Sequence, residues 1–131
     1  MSNNLKEFFD FNNKVIVITG GAGFLCSEIA RTFCKFESNV IILDRNINKI
    51  NNLIKELNLK GYKIEAKKID VSKKKNLEKI SKYILKKYKK IDVLINGAGI
   101  NSPTSFFDIS EKEWDDILNS QLKSTMFSCQ V

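Results

Sequence analysis

The stretch "VITGGAGFLCSEIA", Val17–Ala30, decides how the rest of the chain is read. Its first residues complete an apolar run, Lys14–Thr19, of the kind a buried parallel strand requires. Gly20, Gly21 and Gly23 follow at the spacing of a dinucleotide-binding turn. Gly20 permits the tight turn out of the strand, and Gly23 lets backbone approach a pyrophosphate. A helix starting near Phe24 offers its free N–H groups and the positive end of its dipole to phosphate. The third glycine of the pattern would fall at position 26, where this chain has Cys26. That position requires a small residue, so that the helix can lie close to the sheet. Cys26 meets the requirement, with Ala30 and Cys34 one and two turns further on. The other reading of Cys26 is a thiol activated at a helix N-terminus.

Outward from this turn, strand and helix alternate. Phe24–Phe36 carries Leu25, Ile29 and Phe33 at helical spacing, with Cys26, Ala30 and Cys34 beside them. Val40–Leu43 is a second apolar strand closed by Asp44, near the expected spacing of about 20 residues from the glycine turn. A carboxylate there accepts from ribose hydroxyls and repels a 2′-phosphate, which selects NAD over NADP. Arg45 beside it argues the other way, and Asp44 could instead simply cap the next helix. That helix places Ile47, Ile50, Ile54 and Leu57 on one face. "GYKIEAKKIDVS" is a more polar third strand ending at Asp70. Lys73–Tyr88 is a lysine-rich helix with Leu77, Ile80, Ile84 and Tyr88 inward, and Ile91–Asn96 is a fourth strand. The segment "GAGINSPTSFFDI" then leads to a last helix opened by a Ser110–Glu113 capping box, with Trp114, Ile117, Leu118, Leu122 and Met126 on its apolar side. The pattern predicts an α/β fold: a Rossmann-type, doubly wound parallel sheet of about four strands with flanking helices.

Composition narrows the function. The chain has 131 residues, one domain by size, and 43% of them are hydrophobic, enough for a packed core. No apolar run approaches the roughly 18 residues of a membrane span. The N-terminal "MSNNLKEFFDFNN" lacks a leader pattern, so the expected compartment is the cytoplasm. There is no histidine, and the three cysteines lack metal-ligand spacing, so no metal site is expected. The net charge of +7 comes largely from lysines between Lys60 and Lys90. Arg31 and Arg45 are the only arginines, which argues against specific nucleic-acid recognition and for a solvated helix face.

Four features stand on successive elements: the glycine turn, Asp44, the Asp70-Val71 pair and Asn96-Gly97-Ala98-Gly99. Together they resemble a short-chain dehydrogenase/reductase of the classical type, over essentially the whole chain. The resemblance implies an NAD-dependent oxidoreductase of a CH–OH group in an alcohol, sugar or sugar acid. Leu25 and the loop would lie on the pyrophosphate side, Asp70 and Val71 would flank the adenine, and Asn96 would help hold the central sheet. "TGGAGFL" also resembles extended members acting on nucleotide sugars, and "NGAGINSPTSFFDIS" resembles dehydrogenases of the gluconate or mannonate type. In the last helix, Gln121 stands where the family's catalytic tetrad has an asparagine. It keeps the amide and adds a methylene, and is equally readable as a tolerated polar residue. The family's catalytic Tyr-x-x-x-Lys lies downstream of the fourth strand. The spacing from Tyr83 to Lys87 falls upstream of it, on the lysine-rich helix, where it is expected by chance.

Residues 1–131 are thus expected to be a single NAD-binding domain that stops before the catalytic segment, inactive alone and homo-oligomeric at full length. A complete, non-catalytic nucleotide-binding module and a fragment of a nucleotide-sugar epimerase or dehydratase are the competing readings.

Overall fold

The computed structural model describes residues 9–131. The N-terminal stretch searched for a leader therefore lies outside the described residues up to Phe8. Four strands, β1 (Val15–Thr19), β2 (Asn39–Asp44), β3 (Ile64–Lys68) and β4 (Val93–Asn96), form one sheet in the order β3-β2-β1-β4. All pairings are parallel. Between them run α1 (Phe24–Lys35), α2 (Ile47–Leu59) and α3 (Lys74–Tyr88). After β4 a short turn at Phe106–Asp108 leads to α4 (Glu111–Leu118). A π turn over Asn119–Lys123 joins this to α5 (Ser124–Gln130).

The two central strands are apolar between their end residues because both faces of the sheet are covered. Ile16, Ile18, Val40 and Ile42 face α1 and α2 and pack with Cys26, Ala30, Cys34, Leu53 and Leu57. Val15, Val17, Ile41 and Leu43 face the opposite side and pack against Ile84 of α3. The edge strand β3 is only half-buried, which accounts for its polar sequence. At the other end of the sheet, the Asp92 carboxylate accepts from the Val15 N–H at 2.7 Å and ties the entry of β4 to that of β1.

The expected elements form; the inward line departs from the face read above in α1, and by single residues in α2 and α3. In α1 the fully buried line is Cys26, Ala30 and Cys34. Ile29 and Phe33 pack at its margin, and Leu25 is 73% exposed. The cause is contact distance: the helix lies so close to the sheet that only small side chains fit its nearest line. In α2 the buried line is Ile50, Leu53 and Leu57, while Ile47 is exposed at the helix start and Ile54 is half-buried. In α3, Leu77, Ser81 and Ile84 are buried, with Ile80 and Tyr88 at the margin.

The last helical segment departs most. Its capping box forms as expected. However, Trp114, Leu118, Leu122 and Met126 all face outward, and only Ile117 of the expected apolar side is half-buried. The π turn adds a residue to one turn and shifts the phase of everything after it. The inward line therefore runs through Ser120 to Ser124, which is 3% exposed. Small hydroxyl residues again occupy the closest approach, here of α5 to β4 and α3. The Ser124 hydroxyl is satisfied by the Ser120 carbonyl one turn back.

Candidate functional site

The β1–α1 turn and the β4–α4 segment leave adjacent strands at the same end of the sheet. They touch. Gly20 has φ +63°, a conformation that side chains rarely adopt, and a Cβ on it would stand 2.7 Å from the Gly97 carbonyl oxygen. Beneath them Thr19, 2% exposed, links the two turns. Its hydroxyl accepts from the N–H groups of Gly97 (3.1 Å) and Ala98 (3.2 Å) and donates to the Ile95 carbonyl at 3.4 Å.

Cys26 lies under the same junction. A Cβ on Gly97 would come within 2.1 Å of its Sγ. The residue that breaks the glycine pattern is therefore a packing residue between α1 and the β4 turn. Burial, and secondarily the nearby Asp44 charge, raises the pKa of its thiol. The thiol form is thereby favoured, the opposite of what an activated nucleophile requires.

Asp44, at the end of β2, does not cap α2. The cap is Asn46, whose side-chain oxygen accepts from the Lys49 N–H. One Asp44 carboxylate oxygen accepts from the Ala22 N–H at 3.1 Å, the other from the Asn46 N–H at 2.9 Å. A carboxylate has about four acceptor positions, so two remain free for a ligand. Asp70, past the end of β3, is held by the Ser72 hydroxyl and N–H; these bonds lower its pKa.

Together these groups border a crevice of about 270 Å³ above the carboxyl ends of the strands. Of the residues singled out in the sequence, Gly20, Gly23, Asp44, Arg45, Asp70, Val71, Gly97, Ala98 and Gly99 line it. Gly21 lies beneath, against Ile42. Phe24 and Leu25 project from the start of α1 into solvent. No side chain caps that first turn and no acidic residue lies in it, so its N–H groups are open to an anion. The Asn96 side chain turns away and donates to Cys129 Sγ at 3.5 Å.

Gln121 stands behind the crevice wall. Its side-chain amide donates to the Ile100 carbonyl (2.8 Å) and the Asn101 side-chain oxygen (3.3 Å). The neighbouring Ser120 hydroxyl accepts from the Ile100 N–H at 3.3 Å, so consecutive residues hold both backbone groups of one loop residue. Ile100, Ser120 and Lys49 line the crevice without having been legible as site residues. Thr19 was missed too, although its place directly before the glycine turn was a usable signal. The Tyr83–Lys87 pair does not line the crevice and is tied up: Tyr83, Lys87, Tyr88 and Lys67 all bond or pair with the Glu65 carboxylate on the α3 face.

Among the described residues no group of three or more His, Cys, Asp or Glu could hold a metal ion, and no helix is long and apolar enough to cross a membrane.

Comparison with known proteins accords with this geometry. The family model for short chain dehydrogenases matches residues 14–131. The chain is 33% identical over 119 residues to a diacetyl reductase, (S)-acetoin forming, of Staphylococcus epidermidis, covering 91% of this chain and 46% of that protein. It is 30% identical over 123 residues to an NAD-dependent glycerol dehydrogenase of Listeria innocua, covering 94% and 47%. Among solved structures, one from Haemophilus influenzae with bound NAD, provisionally assigned as a D-mannonate oxidoreductase, is 29% identical with a TM-score of 0.78, covering 98% of this chain and 52% of that one. A short chain dehydrogenase from Bacillus anthracis is also 29% identical, with a TM-score of 0.83, covering 90% and 49%. The chain spans about half the length of the curated relatives it matches. With a parallel sheet in the order β3-β2-β1-β4, two glycine turns in contact at its carboxyl end and a family match from Lys14 to Val131, the chain belongs to the short chain dehydrogenase family.

Proposed function

We propose that the chain is the cofactor-binding half of an oxidoreductase that acts on the CH–OH group of an alcohol, sugar or sugar acid, with NAD preferred to NADP. The observation that carries this reading is the contact of the two glycine turns beside the Asp44 carboxylate, at one crevice. The residues fit the group. Open N–H groups at the start of α1 and glycine backbone suit a pyrophosphate, and the free acceptor positions of Asp44 suit two ribose hydroxyls. Val71 and Ile69 offer apolar walls to an adenine. A 2′-phosphate would be repelled by the Asp44 charge. When bound, nicotinamide supplies the hydride acceptor. The similar proteins named above, a diacetyl reductase, a glycerol dehydrogenase and a mannonate oxidoreductase, point to small carbonyl and carbinol substrates.

Gln121 holds the Ile100 carbonyl and the Asn101 side chain and so positions the crevice wall; in this reading that is its part in the reaction. Among the described residues no tyrosine lines the crevice. In this reading these 131 residues bind cofactor without turning over an alcohol, and the whole protein works as a homo-oligomer in the cytoplasm. The test is a titration with NADH and NADPH followed by the fluorescence of the reduced nicotinamide; Trp114 stands outside the crevice and is no reporter. NADH is expected to bind at least about tenfold more tightly than NADPH, and Asp44→Asn to narrow that gap. Equal affinities in the native chain would refute the NAD assignment, and no binding of either would refute the cofactor reading.

A further inference from the structure

A second recess opens on the far side of Arg45. It lies between the end of β3 and the first half of α3 and has a volume of about 520 Å³. It meets the crevice at Arg45, Ile69 and Asp70 but includes neither Asp44 nor a glycine of either turn. Its walls combine two kinds of surface. Ile69, Ile80 and Tyr83 supply an apolar part, and Arg45, Lys67, Lys68 and Lys79 supply cations. Lys67 is committed, 3.0 Å from a Glu65 oxygen and 4.6 Å from the centre of the Tyr83 ring. Arg45, Lys68 and Lys79 form no ion pair among the described residues. The one carboxylate of the recess, Asp70, is engaged by Ser72.

One carboxylate, Asp70, stands among Arg45, Lys68 and Lys79, so the recess keeps a net positive charge that a bound anion would offset. Lys75, Lys79, Lys82 and Lys86 also recur along one stripe of α3, so the approach to the recess is positive as well. The apolar part lies within reach of the same cations, which favours a ligand with both an anionic and an apolar portion over a bare ion. We infer that this recess is a second binding site, specific for a small organic phosphate whose apolar body packs on Ile69, Ile80 and Tyr83 while Arg45, Lys68 and Lys79 hold the phosphate. The site shares Arg45, Ile69 and Asp70 with the crevice, but Lys68, Lys79, Ile80 and Tyr83 lie outside it, so binding here does not require the cofactor reading.

The test uses the full 131-residue chain, labelled with nitrogen-15 and titrated with phenyl phosphate, with inorganic phosphate as the bare-ion comparison. Saturable one-site shifts are expected at the amides of Lys68, Ile69, Lys79 and Ile80. Inorganic phosphate should bind about tenfold more weakly, and Lys68→Gln combined with Lys79→Gln should weaken phenyl phosphate about tenfold or more. Both lysines are exposed, so the variant should keep the native spectrum elsewhere. Three outcomes would overturn the inference: shifts centred on Gly20–Phe24, shifts that never saturate and spread over Lys75, Lys82 and Lys86, or unchanged affinity in the double variant.

Discussion

The contact between Cys26 and Gly97 can be measured by a compensating pair of substitutions. A methyl group at Gly97 would lie 2.1 Å from Cys26 Sγ and 3.0 Å from the Thr19 carbonyl oxygen. The φ of Gly97 is not in the left-handed region, so the penalty in Gly97→Ala comes from space and not from backbone strain. The sulfur must retreat by more than an ångström into a closed core, and overpacking of that kind costs about 3 kcal/mol. Cys26→Ala alone removes one buried sulfur and should cost about 1 kcal/mol. In the double variant the new methyl meets the residue-26 Cβ at 3.7 Å, an ordinary contact, and only the Thr19 carbonyl remains tight. Gly97→Ala should then cost about 1 kcal/mol, giving a coupling of about 2 kcal/mol between the two positions. Urea denaturation of the four proteins, compared at a common slope, reads it directly. Strict additivity would refute the packing role assigned to Cys26, and with it the account of why the glycine pattern is broken there.

Other consequences can be checked with the same chain. Thr19→Val keeps the shape but deprives the Gly97 and Ala98 N–H groups of their acceptor, and should cost about 2 kcal/mol with faster hydrogen exchange at those amides; unchanged exchange would count against the Thr19 link. Burial pushes the Glu65 carboxyl up, but bonds from Lys87, Tyr83, Lys67 and Tyr88 outweigh it and hold its pKa at about 2, below the ordinary 4.5. Because the folded value is the lower one, this stabilisation is full above about pH 4.5 and is lost as pH falls through that value toward 2. Glu65→Gln should flatten that limb of the stability–pH curve, and an unaltered limb would contradict the assignment. In native-state alkylation read by mass spectrometry, exposed Cys129 should react first. Cys26 and Cys34 are buried, with pKa values pushed up, that of Cys34 to about 11, and should be protected; equal labelling of Cys26 would revive the reactive-thiol reading.

The sequence by itself determined the element types and their order. Alternation of apolar runs, helical spacing and turn residues is local information, and it specified four parallel strands and the glycine turns at their carboxyl ends. The Ser110–Glu113 box was legible for the same reason, since its bonds span three residues. Tertiary structure decided what depends on closest approach. It selected Cys26, Ala30 and Cys34 over Leu25 as the inward line of α1, and Ser124 over Leu122 and Met126 in the last helix. A backbone packed tightly against a sheet admits only small side chains at the contact line, whatever the hydrophobicity of their neighbours. It also recruited Thr19 and Ser120, whose hydroxyls acquire a role only when residues 78 and 20 positions away come within hydrogen-bond reach.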